Sequence, residues 1–162
     1  MSGIDQMFTD GGPLSKELHE WEPRQQQLDM SSAVAETLET GGRLFVEAGT
    51  GVGKSFGYLV PAIRRIIDHD ETVVISTNTI TLQEQLVFHD APILDKAFGG
   101  GFETVLVKGR ANYISLRRLS RAMDQRSTLL SDANGRVQLE QINEWSKTTG
   151  DGSRSSLPFL PR

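Results

Sequence analysis

The segment Ala48-Gly49-Thr50-Gly51-Val52-Gly53-Lys54-Ser55 constrains this chain more than any other. It fits the pattern small-x4-Gly-Lys-Ser, with Ala48 where the strict pattern has glycine. Glycines at 49, 51 and 53 let the backbone wrap tightly, so that successive N–H groups converge on an anion. A helix predicted to follow the loop points its positive end at the same place. In such a loop Lys54 reaches the β- and γ-phosphates of a nucleotide and the Ser55 hydroxyl ligates Mg²⁺. Lys54 and Ser55 are therefore the candidate catalytic residues, with Ser55 the candidate metal ligand. Ala48, Gly49, Thr50, Gly51, Val52 and Gly53 complete the candidate phosphate cradle. A chance match to the pattern in a chain of average composition arises on the order of one per cent of the time.

The loop sits in an alternating pattern. Residues 44–46 (Leu-Phe-Val), 72–76 (Thr-Val-Val-Ile-Ser) and 104–107 (Thr-Val-Leu-Val) are short, apolar and rich in strand formers. Helical spacing appears over 24–40, closed by Gly41-Gly42, and again after the loop through Leu59, Val60, Ile63, Ile66 and Ile67. Pro61 inside that second helix is expected to kink it or remove one bond. Further helices are expected over 82–88, 93–98, 112–123 and 138–145. Strands alternating with helices predict an α/β chain with a parallel sheet and helices on both faces.

Average composition places the chain among ordinary globular proteins, with 37% hydrophobic and 23% charged residues and a net charge of −4. The absence of cysteine excludes disulfides, thiolate zinc sites and a cysteine nucleophile within these 162 residues. The three histidines, His19, His69 and His89, show no metal-ligand spacing. The longest apolar stretches fall far short of the roughly 20 residues of a membrane span. Residues 1–13 lack the apolar core of a signal peptide, so no membrane contact and a cytoplasmic location are expected.

Three features bear on what the loop serves. Residues 22–27 (Glu-Pro-Arg-Gln-Gln-Gln) open the first long helix, and a glutamine amide can pair with both N6 and N7 of adenine. Gln27 is either that reader or part of a solvated helix start. A carboxylate that would share Mg²⁺ and orient water is expected after a second strand, yet 76–79 and 108–110 supply none. Finally, Lys108, Arg110, Arg117, Arg118 and Arg121 fall within a stretch free of acids, with Tyr113 among them. Arg117 and Arg121 share a helix face. Such a stripe suits a single-stranded backbone with one stacked base, or else is a solvated face paired with acids elsewhere.

In order, the chain carries Glu-Pro-Arg-x-x-Gln at 22–27, Glu-Ala-Gly-Thr-Gly-x-Gly-Lys-Ser at 47–55, Ser-Thr-Asn-Thr-x-x-Leu-Gln-Glu-Gln-Leu at 76–86 and Lys-Gly-Arg-Ala-Asn-Tyr at 108–113. Together these resemble the DinG-like and XPD-like branch of superfamily 2 DNA helicases. The resemblance runs from about Gly12 onward and includes Trp145 and Thr148–Gly152. It implies a RecA-like P-loop motor domain, the first of two, and ATP-driven unwinding of duplex DNA, usually 5′ to 3′, in repair or replication. By the same resemblance Arg24 and Gln27 match an adenine-recognising element, and Thr77, Thr79 and Gln85 a motif beside single-stranded DNA. ATP and Mg²⁺ are the implied cofactors. Iron–sulfur members carry a cysteine where this chain has Ser115, so a thiolate-held cluster is not expected.

The domain reading is a flexible leader over 1–13, the first part of motor domain 1 over 14–110, a helical insertion over 111–149 and an irregular tail over 150–162. The motor is expected to be incomplete at the C-terminus, with the missing acid and the second RecA-like domain beyond Arg162, and the piece by itself inactive. Two rivals stand beside this reading: another P-loop NTPase or small kinase, and a non-catalytic nucleotide- or DNA-binding remnant.

Overall fold

The computed structural model describes residues 3–49, 51–130 and 132–159. The chain divides into two compact units, one ending at Leu106 and the other beginning at Val107.

The first unit is helical. Helix α1 (Pro13–Glu17) starts with proline, whose fixed φ suits a first turn. Helix α2 (Gln25–Thr40) ends at Gly41, which takes a φ of 75°. Helix α3 (Lys54–His69) begins directly at the loop and runs through Pro61, which is buried within it. Helix α4 (Ile80–Gln85) passes into a π-helical turn (Leu86–Asp90) and on into α5 (Ala91–Phe98), which Gly99 closes at a φ of 76°.

Packing pairs α2 with α3 and α1 with α5. Leu14, Val60 and Leu94 are fully enclosed. Gly57 permits the first pairing, because a Cβ there would meet Met30 Sδ at 3.2 Å. Arg65 on α3 adds ion pairs to Glu39 on α2 at 3.0 Å and to Glu71 at 2.8 Å. Hydrogen bonding to Arg65 holds the Glu71 carboxyl below its ordinary value.

The opening residues differ from the expected loose leader. Asp5–Phe8 form a 3-10 turn whose Met7 and Phe8 are 6% exposed and join the core with Leu14 and Leu94. Burying two such side chains contributes about 1.5–3 kcal/mol each, enough to fix a short segment.

The expected parallel sheet is absent among the described residues, and this corrects the α/β reading. Residues 44–46, 72–76 and 104–107 carry no regular secondary structure and form no ladder. Among the described residues the single strand-type pairing is an isolated antiparallel bridge, Tyr113 to Ser153. Phe45 is 91% exposed, Val74 86% and Val105 79%. The reason is that β-propensity measures fit to a paired, half-buried surface rather than a backbone preference. A strand needs a neighbour's N–H and C=O groups, and these three segments do not supply them to one another. A helix closes its bonds within itself, so the helical expectations survive where the strand ones do not.

The second unit holds a 3-10 turn (Arg110–Asn112) and helices α6 (Leu116–Asp124), α7 (Arg126–Leu129) and α8 (Ala133–Thr148). Ser115 caps α6 by accepting from Arg118 N, and Asp132 caps α8 by accepting from Gly135 N. Residues 150–159, expected to be irregular, are tied down. Ser153 is 1% exposed, a 3-10 turn spans Arg154–Ser156, and Ile114 N donates to Gly152 O at 2.9 Å.

Candidate nucleotide and nucleic-acid sites

The loop's shape follows from its glycines. Gly51 takes a φ of 81° and Gly53 a φ of 76°, both left-handed. Gly53 is the cap of α3, so Lys54 and Ser55 are its first two residues. Their backbone N–H groups stand at the positive end of a 16-residue helix. Gly49 and Gly51 are exposed, whereas Ala48, Val52, Lys54 and Ser55 are half-buried. Thr50 lies outside the described residues.

Three side chains hold the loop through its carbonyls. Lys54 Nζ donates to Gly49 O at 2.6 Å and to Ala48 O at 3.1 Å. The Arg24 guanidinium donates to Gly51 O and also meets Glu22 at 3.4 Å. Gln27 Nε2 donates to Gly53 O at 2.8 Å, and Gln27 is 5% exposed. Arg24 and Gln27, read in the sequence as adenine contacts, are thus tethers of the phosphate loop in this structure. That role was not legible from their spacing, because the tethers reach 27 and 26 residues along the chain.

The group fits a nucleotide phosphate and Mg²⁺. The donor set is cationic and N–H-rich, and Lys54 can exchange neutral carbonyls for an anion. Mg²⁺ keeps several waters and takes phosphate oxygens, so one serine hydroxyl is a sufficient protein ligand. Among the described residues no cluster of His, Asp or Glu forms a separate metal site. Ser55 also meets Tyr58, one turn along α3. Burial pushes the Tyr58 hydroxyl above its ordinary pKa, the hydrogen bond from Ser55 counters this, and the nearby Asp90 charge adds to the rise.

The 76–86 stretch is built for local order. Thr77 Oγ1 donates to Thr79 O at 3.1 Å, and Thr79 Oγ1 caps α4 by accepting from Leu82 N at 3.2 Å. Gln85 is exposed at the last position of α4. Thr79→Ala is expected to cost about 1 kcal/mol through the lost cap. Chemical denaturation would check this, with Thr79→Ser close to wild type.

In the second unit the basic segment splits in two. Lys108 is 6% exposed, and its Nζ donates to Ser153 Oγ at 3.0 Å and Ser155 Oγ at 2.8 Å. Its backbone N–H donates to the Tyr113 hydroxyl at 2.8 Å. Lys108 and the Tyr113 hydroxyl therefore brace the unit instead of facing outward. Sequence reading missed Ser153 and Ser155, whose only local signal was the polar run after Gly150. By contrast Arg110, Arg117, Arg118 and Arg121 are exposed. Arg110, Arg117 and Arg118 line a cavity of about 880 Å³ with Tyr113, Ile114, Leu119 and others, and no acid is among its lining residues. Ser115 also lines this cavity and serves as the α6 cap.

Residues 28–131 match the DEAD/DEAH box helicase family. The chain is 36% identical over 149 residues to the ATP-dependent DNA helicase YoaA of Haemophilus influenzae, covering 92% of this chain and 22% of that protein. It is 37% identical over 153 residues to YoaA of Escherichia coli, with the same coverage. Against the ATP-dependent helicase DinG of Mycobacterium tuberculosis the identity is 39% over 150 residues, covering 83% of this chain and 22% of that one. The chain thus spans about a fifth of the length of the curated relatives it matches. No solved structure matches it. No helix among the described residues is long and apolar enough to cross a membrane. With a phosphate loop at the head of α3 and the matching segments in order around it, the chain belongs to the DEAD/DEAH box helicase family.

Proposed function

We propose that this chain is the ATP-binding N-terminal part of an ATP-dependent DNA helicase, acting on duplex DNA through its single strand with 5′-to-3′ polarity in repair or replication. The observation that carries the reading is the loop at 48–55, with left-handed Gly51 and Gly53 placing Lys54 and Ser55 at the start of α3. Lys54 neutralises the β- and γ-phosphates, Ser55 ligates Mg²⁺, and the α3 N-terminus receives the remaining charge. The bound nucleotide supplies the phosphoanhydride whose hydrolysis powers unwinding. Arg24 and Gln27 belong to the adenine-recognising element; their bonds to Gly51 and Gly53 link base recognition to the shape of the loop. Thr77, Thr79 and Gln85 are proposed to lie beside the translocated strand.

DNA contact in the second unit falls to Arg110, Arg117, Arg118 and Arg121, with the Tyr113 ring available for stacking. Lys108 supports these residues from within. The test is single-strand binding as a function of salt. Replacing Arg117 and Arg121 by alanine is expected to weaken binding and to flatten the slope of log K against log salt by about 0.7 per lost phosphate contact. An unchanged slope would remove those arginines from the interface.

A further inference from the structure

The second unit gathers the chain's positive charge. Residues 107–162 hold ten basic and five acidic residues, a net charge of +5, against −9 for residues 1–106. Arg110, Arg117 and Arg118 are exposed and form no ion pair among the described residues. All three line the cavity of about 880 Å³, and no acid does. Cations on a flat solvated face would serve a phosphate backbone and nothing else. This cavity also has an apolar floor.

The floor comes from helical spacing. Leu119 and Ala122 are three apart on α6, Leu139 and Ile142 are three apart on α8, and the two helices pack together. All four residues line the cavity, and Leu119 is 8% exposed. Tyr113 lines it too and is held in place. Its hydroxyl accepts from Lys108 N at 2.8 Å, its backbone bridges to Ser153, and Ile114 N donates to Gly152 O. A ligand with an anionic side and a flat apolar body matches this lining. Small-molecule pockets span roughly 300–1,000 Å³, so the cavity has room for a nucleotide unit. Building on the DNA contact read above, we propose that it is a pocket for one base of a single DNA strand, turned out of its stack. The base lies against Tyr113 and the apolar floor, and the flanking phosphates meet Arg110, Arg117 and Arg118. Turning out a base costs least where it is unpaired, so the pocket favours single strands over duplex. It reads no sequence, because every base has a π-face.

The test is equilibrium binding of the full chain to oligothymidylate and to a fully abasic strand of the same length and charge, each across a salt series. Wild type is compared with Ala122→Leu, Ala111→Leu and Arg121→Ala. Ala122 and Ala111 both line the cavity, so leucine fills space at either position and removes no charge. Ala111 is exposed, so its variant keeps the fold even where Ala122→Leu does not, and circular dichroism checks both. Wild type is expected to bind oligothymidylate roughly fivefold to a hundredfold more tightly than the abasic strand, the value of one stacked base. Each leucine variant should lose that preference and keep the salt slope. Arg121 is exposed and does not line the cavity, so Arg121→Ala should keep the preference and flatten the slope by about 0.7. A preference that survives in the folded leucine variants overturns the pocket, as does a wild type that binds both strands alike; in either case the DNA reading stands. If wild type binds neither strand, the DNA reading falls and the pocket falls with it. Tighter binding of an oligoglutamate of equal charge would make the cavity a site for an acidic peptide and overturn the pocket as well.

Discussion

Replacing Lys54 by alanine is expected to weaken ATP binding by roughly tenfold to a hundredfold while leaving the fold intact. In the structure the ammonium donates to Ala48 O and Gly49 O. Both acceptors are neutral, whereas a phosphate brings a charge opposite to that of the ammonium as well as hydrogen-bond acceptors, so it displaces them. Deleting a hydrogen bond to a charged group costs roughly 1.5–3 kcal/mol, and about 1.4 kcal/mol is tenfold in affinity. Stability should change little, since the side chain is half-buried and its carbonyl partners can turn to water. Titrating fluorescent ATP and GTP into both proteins checks the prediction. Equal affinity for wild type and variant would remove Lys54 from the site. A small kinase is distinguished by phosphoryl transfer to an added acceptor, and a non-catalytic remnant by DNA binding that survives Lys54→Ala.

Gly53→Ala is expected to be still more damaging, because it alters the loop instead of one contact. Gly53 has a φ of 76°, where an L-residue is strained by roughly 1–2 kcal/mol. A Cβ there would also stand 2.2 Å from Gln27 Nε2 and 3.0 Å from its Cδ. Gln27 would have to leave, and its bond to Gly53 O, worth roughly 0.5–1.5 kcal/mol, would go with it. Added together, the expected loss of stability is roughly 1.5–3.5 kcal/mol, with nucleotide binding abolished. The pairing with Gln27 gives the sharper check. Gln27→Ala opens the space, so in its background Gly53→Ala should cost only the backbone strain. Denaturation of the four proteins measures the coupling; strict additivity would mean that the two residues do not meet.

How much of this was legible in the sequence depends on the range of the force involved. The loop could be read directly, since the φ that glycine permits and the donors that Lys54 and Ser55 bring are properties of adjacent residues. Helices could be read nearly as well: α2 ends at Gly41, as Gly41-Gly42 foretold. Family membership was likewise carried by short motifs in order, and residues 28–131 bear it out.

The rest needed partners distant in the chain. Residues 44–46, 72–76 and 104–107 have the composition of buried strands, yet pairing is a relation between segments, and the structure leaves them unpaired with Phe45, Val74 and Val105 exposed. Lys108 looked like a surface cation by type; only its approach to Ser153 and Ser155, 45 and 47 residues on, shows that it is an internal brace. Gln27 had the chemistry of a base reader, and Gly53 O, 26 residues away, is the acceptor it meets. By itself the sequence determined the phosphate loop, the helices and their stops, since these depend on torsions and hydrogen bonds within a few residues. Only the tertiary structure decided which polar groups are left facing solvent, because burial and long-range hydrogen bonding exist only once distant segments meet.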